Sequence, residues 1–159
     1  MNEKLKVYLD TSVISYLKQD DSPEKTKITN DLWEKFKTGI YDICFSNLTL
    51  LEVGRCFDEK RLFLANKLNE IEYEEYKVNE RTKNLATQII RIGILTEKSF
   101  DDCQHIAVAL QNDCDIIVSW NFKHLVNVKT INGIRAISMI EGYKTINIFD
   151  PLTLLEMEV

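Results

Sequence analysis

LKVYLD, residues 5–10, decides the fold. It is a short, mostly apolar run that ends on an acid, which reads as a buried strand from Leu5 to Leu9 with Asp10 at its carboxyl end. TSVISYLKQ (11–19) follows with the start of a helix that Thr11 or Ser12 is expected to cap. DDSPE (20–24) then turns the chain into a second helix. Pro23 suits its first position, Ile28, Leu32, Trp33 and Phe36 recur at helical spacing, and Gly39 stops it. The same alternation continues along the chain. YDICF (41–45) is a short strand, Ser46–Asn47 a turn, and a helix runs from about Thr49. The Glu- and Lys-rich segment 57–76 has a helical pattern, and 80–92 is an amphipathic helix with Leu85, Ile89 and Ile92 on one face before Gly93. Ser99 opens a small-residue helix, DIIVS (115–119) is a buried strand, 134–140 is helical up to Gly142, and INIF (146–149) is a last strand before a closing helical turn in LTLLE.

Short buried strands alternating with helices imply an α/β fold. The expectation is a three-layer α/β/α sandwich with a central, mainly parallel sheet whose crossovers are the helices. The 159 residues suit a single domain spanning 1–159. No apolar run approaches the length of a membrane span, and MNEKLKVYLD has no signal-peptide pattern, so the expected location is cytoplasmic and away from the membrane. Cys44, Cys56, Cys103 and Cys114 form no C-x-x-C pair and read as free, largely buried thiols. A formal net charge of −5 argues against a strongly basic nucleic-acid binder. It leaves a nuclease open, because a bound cation inverts the field of an acidic pocket.

In open parallel sheets ligands sit beyond the carboxyl ends of the strands. Asp10, Glu52, Asp102 and Asn121 all fall at such places, or in the helical turns that follow them. Oxygen ligands of this kind select hard cations such as Mg²⁺ or Mn²⁺. Each residue also has a structural reading. Asp10 could cap a helix. Glu52 stands three residues after Thr49 and Asp102 three after Ser99, the spacing of a capping box, and Asn121 suits a turn. Taken residue by residue, the pattern reaches an acidic cation site and stops there.

Four segments in order, VYLDTSVIS (7–15), SNLTLLEVGR (46–55), DDCQHIAVAL (101–110) and IIVSWNFKHLVN (116–127), resemble a PIN domain of the VapC-like toxin branch. The resemblance implies a parallel sheet between helices, a Mg²⁺- or Mn²⁺-dependent endoribonuclease, a homodimer, and for many members a toxin paired with an antitoxin protein. By position it carries Asp10, Glu52 and Asp102 over as metal ligands, Asn121 as the fourth pocket member and Ser119 beside it. Many members have a second Asp near position 121, and the neutral Asn here is a departure. Lys123 and His124 are candidate donors to an RNA backbone, and Arg55, one helical turn after Glu52, could brace a carboxylate or a phosphate. Asp101 is expected to face solvent, and His105 to be a hydrogen-bonded core histidine. A non-catalytic PIN-like module that holds RNA or protein is the alternative. A phospho-receiver domain fails because Asp10 lies between Leu9 and Thr11 with no acidic pair, and a dinucleotide fold fails for want of G-x-G-x-x-G after the first strand.

Overall fold

The computed structural model describes residues 3–157. Five strands, β1 (Lys6–Leu9), β2 (Asp42–Ser46), β3 (Glu74–Tyr76), β4 (Ile116–Val118) and β5 (Asn147–Phe149), form one sheet in the order β3-β2-β1-β4-β5. Every pairing is parallel. The helices are α1 (Thr11–Ser15), α2 (Pro23–Lys37), α3 (Asn47–Val53), α4 (Asp58–Leu68), α5 (Glu80–Arg91), α6 (Phe100–Gln111), α7 (Val128–Glu141) and α8 (Pro151–Glu156), with a 3₁₀ turn at Glu97–Ser99.

The strand order reverses once, and that explains the layers. The chain steps outward from β1 to β2 to β3, then crosses back to β4 on the other side of β1. Right-handed crossovers put the helices of the two halves on opposite faces. Val7, Leu9, Ile43, Phe45, Ile116 and Val118 face the core made with α2, α3, α4 and α8. Tyr8, Cys44, Ile117 and Ile148 face the core made with α5, α6 and α7. Alternate residues of one strand thus enter different cores, and Val7, Tyr8 and Leu9 are all fully buried.

Several boundaries differ from the sequence expectation. The segment 57–76 is not one helix: α4 ends at Leu68 and Glu74–Tyr76 is an edge strand on β2. Its glutamates favour a helix, but the ladder to β2 and the packing of Tyr73 on Phe45, with ring centroids 4.4 Å apart, decide the matter. Charged side chains also suit an exposed sheet edge. Helix α3 begins at Asn47, directly off β2, so Thr49 is inside it and not before it. Ile92 lies past the end of α5 and is 52% exposed. Cys44, Cys103 and Cys114 are buried and all four thiols are free.

Gly133 sits inside α7, where a Cβ would lie 2.5 Å from Ile94 Cγ1 and 2.8 Å from its Cδ1. Gly133→Ala is therefore expected to destabilise the protein by about 1–3 kcal/mol, despite the better helix propensity of Ala. Thermal unfolding would register it, with partial recovery in Gly133→Ala/Ile94→Val. An unchanged or raised Tm in the single variant would disprove the close approach.

Candidate active site

Where the strand order reverses, the carboxyl ends of β1 and β4 lie side by side, and a crevice opens there in folds of this type. Asp10 leaves β1 at this point and is 4% exposed. It is itself the N-cap of α1, a role expected of Thr11 or Ser12. Asp10 Oδ1 accepts from the Ser12 backbone N–H at 3.0 Å and the Ser12 hydroxyl at 2.5 Å, and Oδ2 accepts from the Ser119 hydroxyl at 2.7 Å. Each of those hydroxyl oxygens also accepts a backbone N–H, Ser12 from Trp120 at 2.9 Å and Ser119 from Asn121 at 2.9 Å. The hydroxyl protons are thereby aimed at Asp10. Burial nevertheless pushes the Asp10 carboxyl up, against the pull of His105 and the two serine hydroxyls.

Glu52 projects from α3 with its side chain 26% exposed. Its Oε1 is 3.0 Å from His105 Nε2. The capping-box reading fails, since Thr49 is not an N-cap and α3 has no side-chain cap bond. Burial would raise the Glu52 carboxyl, but His105 and, more weakly, the Thr11 hydroxyl and Arg55 hold it below the usual range. Ionised Glu52 can only accept, so Nε2 of His105 donates to it, and Nδ1 is hydrogen-bonded to the Tyr8 hydroxyl at 2.6 Å. Ser46 Oγ lies 3.0 Å beyond the Tyr8 oxygen. His105, 2% exposed, is thus the hydrogen-bonded core histidine expected, and it is also the residue that holds Glu52.

Asp102 lies half-buried in the first turn of α6. Ser99 occupies the N-cap position there without a side-chain bond, so this capping box is not made either. Burial pushes the Asp102 carboxyl up, and the fields of Asp10 and Glu52 push it further, against His105 and His124. The three carboxylates therefore feel one another from three separate segments. Among the described residues, however, no three His, Cys, Asp or Glu side chains group closely enough to hold a metal ion between them.

Asn121 is placed differently. Its Oδ1 accepts from the His124 backbone N–H at 2.9 Å and its carbonyl accepts from Leu125 and Val126, so it builds the turn after β4. His124 Nδ1 sits 3.3 Å from Ser99 Oγ, and Lys123 is exposed beside it. Arg55 is exposed and lines a cleft with Lys18, Gln19 and Lys60. Asp101 is exposed, as expected, and accepts from Gln104. The sequence reading missed Ser12, Tyr8 and Ser46 as supports. The serine two residues after a strand-ending Asp was the one available signal. Thr11, next to Asp10 in the chain, helps to hold the Glu52 carboxyl low, and Thr49 lies against the Tyr8 hydroxyl.

The donor chemistry suits a hydrated hard cation better than a closed site. Mg²⁺ keeps several waters and takes one or two carboxylates directly, which fits three mutually repelling carboxylates that do not close on one point.

Three solved structures share the fold at low identity. VapC20 of Mycobacterium tuberculosis, described as a sarcin-ricin loop cleaving toxin, aligns with a TM-score of 0.58 at 16% identity, over 74% of this chain and 92% of its own. VapBC2 of Rickettsia felis, bound to a promoter DNA fragment, gives 0.54 at 13% identity, over 92% of this chain and 98% of its own. DNA-bound VapBC of Salmonella typhimurium gives 0.53 at 18% identity with the same 92% and 98% coverage. No curated protein is matched by the chain. Among the described residues no helix is long and apolar enough to cross a membrane. The PIN domain family's sequence profile matches residues 7–124, and the chain belongs to the PIN domain family.

Proposed function

We propose that this chain is a metal-dependent endoribonuclease that hydrolyses RNA phosphodiester bonds, and that it serves as the toxin of a toxin–antitoxin pair. The observation that carries the reading is a buried Asp10 at the carboxyl end of β1, fixed by Ser12 and Ser119, with Glu52 fixed by His105 and the fields of both acids felt at Asp102. Membership of a nuclease family and the fold likeness to VapC toxins support it. The implied partners are RNA, an antitoxin protein and a second copy of the chain.

Asp10, Glu52 and Asp102 would hold Mg²⁺ or Mn²⁺, directly or through water. Such a cation, when bound, neutralises phosphodiester charge and makes water a better nucleophile. The residues of the chain do the rest. Ser12 and Ser119 fix the Asp10 carboxylate, and His105 fixes that of Glu52. Asn121 contributes by shaping the turn that presents Lys123 and His124, which would donate to the RNA backbone. Arg55, one helical turn after Glu52, would meet phosphate from a cleft of mixed charge that it lines with Lys18, Lys60, Asp20, Asp21 and Glu59.

The neutral Asn121, where many members carry an Asp, favours the second reading, a PIN-like module that binds RNA or protein without cutting. Purified protein incubated with RNA separates the two. Cleavage in Mn²⁺ that EDTA abolishes is expected. Intact RNA in Mg²⁺ and in Mn²⁺ would leave only the binding module.

A further inference from the structure

We propose that Phe122, backed by the buried Trp120 with Tyr16 and Lys25 beside it, is a stacking platform that holds an unpaired base of single-stranded RNA at the mouth of the acidic site. The proposal rests on the ribonuclease reading for its ligand. Tyr16 and Trp120 have ring centroids 5.9 Å apart with planes at 46°, and Trp120 and Phe122 6.2 Å at 62°, so Trp120 buttresses Phe122 edge-on and leaves its ring to solvent. The ammonium of Lys25 lies 5.3 Å from the Trp120 ring, 5.4 Å from Tyr16 and 5.8 Å from Phe122. Among the described residues Lys25 has no carboxylate within ion-pair distance. On a chain of net charge −5, a cation without an acidic partner beside aromatic rings matches the two faces of a nucleotide, phosphate and base.

The platform is rigid and tied to the site. Trp120 is 8% exposed and its indole N–H donates to Thr29 Oγ1 at 2.8 Å, while its backbone N–H donates to Ser12 Oγ, the hydroxyl that binds Asp10. Phe122, two residues on, is 47% exposed although its backbone is pinned, with its N–H on the Trp120 carbonyl and its carbonyl on Asn127 Nδ2. An apolar ring held open by a fixed backbone loses little entropy when a base stacks on it. Duplex RNA cannot offer such a base, because its bases are already stacked.

Fluorescence anisotropy of a short labelled single-stranded RNA and of its duplex tests the proposal, in Ca²⁺ so that an oxygen-seeking cation screens the carboxylates. Phe122→Ala is expected to weaken single-strand binding about tenfold to a hundredfold, with Phe122→Trp near wild type and the duplex bound weakly by all three. Lys25→Met should lower the salt slope by about one. Phe122 is surface-exposed, so thermal unfolding of Phe122→Ala should match wild type. Equal affinity of Phe122→Ala and wild type, or a duplex bound as tightly as the single strand, overturns the platform. The same proteins in Mn²⁺ read the nuclease separately. Weakened binding by Phe122→Ala without cleavage by wild type supports the platform and defeats the nuclease reading. Cleavage by wild type and Phe122→Ala at the same KM defeats the platform alone.

Discussion

Asp10→Asn is expected to reduce metal-dependent RNA cleavage by about a thousandfold, some 4 kcal/mol in the barrier, while making the metal-free protein more stable. The two effects share one cause. Asp10 is almost fully buried and its carboxyl is raised by that burial, so ionising it in the folded protein is uphill. The linkage sign follows from the raised value. Between the unfolded pKa and the raised folded one, the native state binds more protons than the unfolded state. Stability from this group therefore falls as pH rises through that window and stays reduced above it. Asn keeps an oxygen to accept from Ser12, can turn an N–H to Ser119 Oγ once that hydroxyl proton rotates away, and removes the charge, so this part of the pH slope should vanish. A smaller slope of the same sign should remain from Asp102, raised first by its own burial and then by its acidic neighbours. A divalent cation works in the opposite direction. At a hundred times its Kd it adds about 2.7 kcal/mol to wild type through binding to the folded state only, and it should add far less to the variant. Thermal unfolding across pH in EDTA and in Mn²⁺, beside a cleavage assay, measures all three. A variant that cuts at the wild-type rate, or gains as much from Mn²⁺, would remove Asp10 from the site.

The parts of this design that could be seen in the sequence are those set by a local rule. LKVYL and DIIVS are short apolar runs buried on both faces, so their strands and the acids and amides at their ends were readable. Gly39, Gly93 and Gly142 all have positive φ where a helix was expected to stop. What escaped depends on contacts between distant segments. Glu74–Tyr76 is a strand because β2 lies beside it, against the helical preference of its own residues. The two capping boxes suggested by Thr49…Glu52 and Ser99…Asp102 are absent because α3 starts directly at Asn47 and a 3₁₀ turn precedes α6. Both acids are thereby released from backbone duty. Asn121 shows the converse: a position with the right address for a pocket member, whose side-chain oxygen also accepts the His124 N–H and so shapes the turn. A family pattern supplies an address, and only the local hydrogen bonds tell which groups remain available there.

His105 gives the second large effect, because it belongs to the core and to the site together. Its ring links Tyr8 on the central strand to Glu52 on α3, and it is 2% exposed. His105→Leu fills similar space but leaves one Glu52 oxygen without its partner and the Tyr8 hydroxyl with Ser46 alone, at an expected cost of about 1–3 kcal/mol. Catalysis should suffer separately. Outer groups that orient a metal-binding carboxylate are worth about tenfold to a hundredfold in activity, expected here in kcat more than in KM. The pH profile distinguishes positioning from mere destabilisation. Burial alone would raise Glu52, and His105 is the main reason that it stays low. Without the imidazole the Glu52 carboxyl should rise, so the acid limb of the cleavage profile should move to higher pH. The stability that ionised Glu52 contributes in wild type, present above its unfolded pKa and lost as pH falls through the lowered folded one, should disappear in the variant. His105→Gln, whose amide can still donate toward Glu52, should recover part of both. If His105→Leu loses stability but keeps the wild-type acid limb, then the ring is only packing, and the orientation of Glu52 must come from elsewhere in α3.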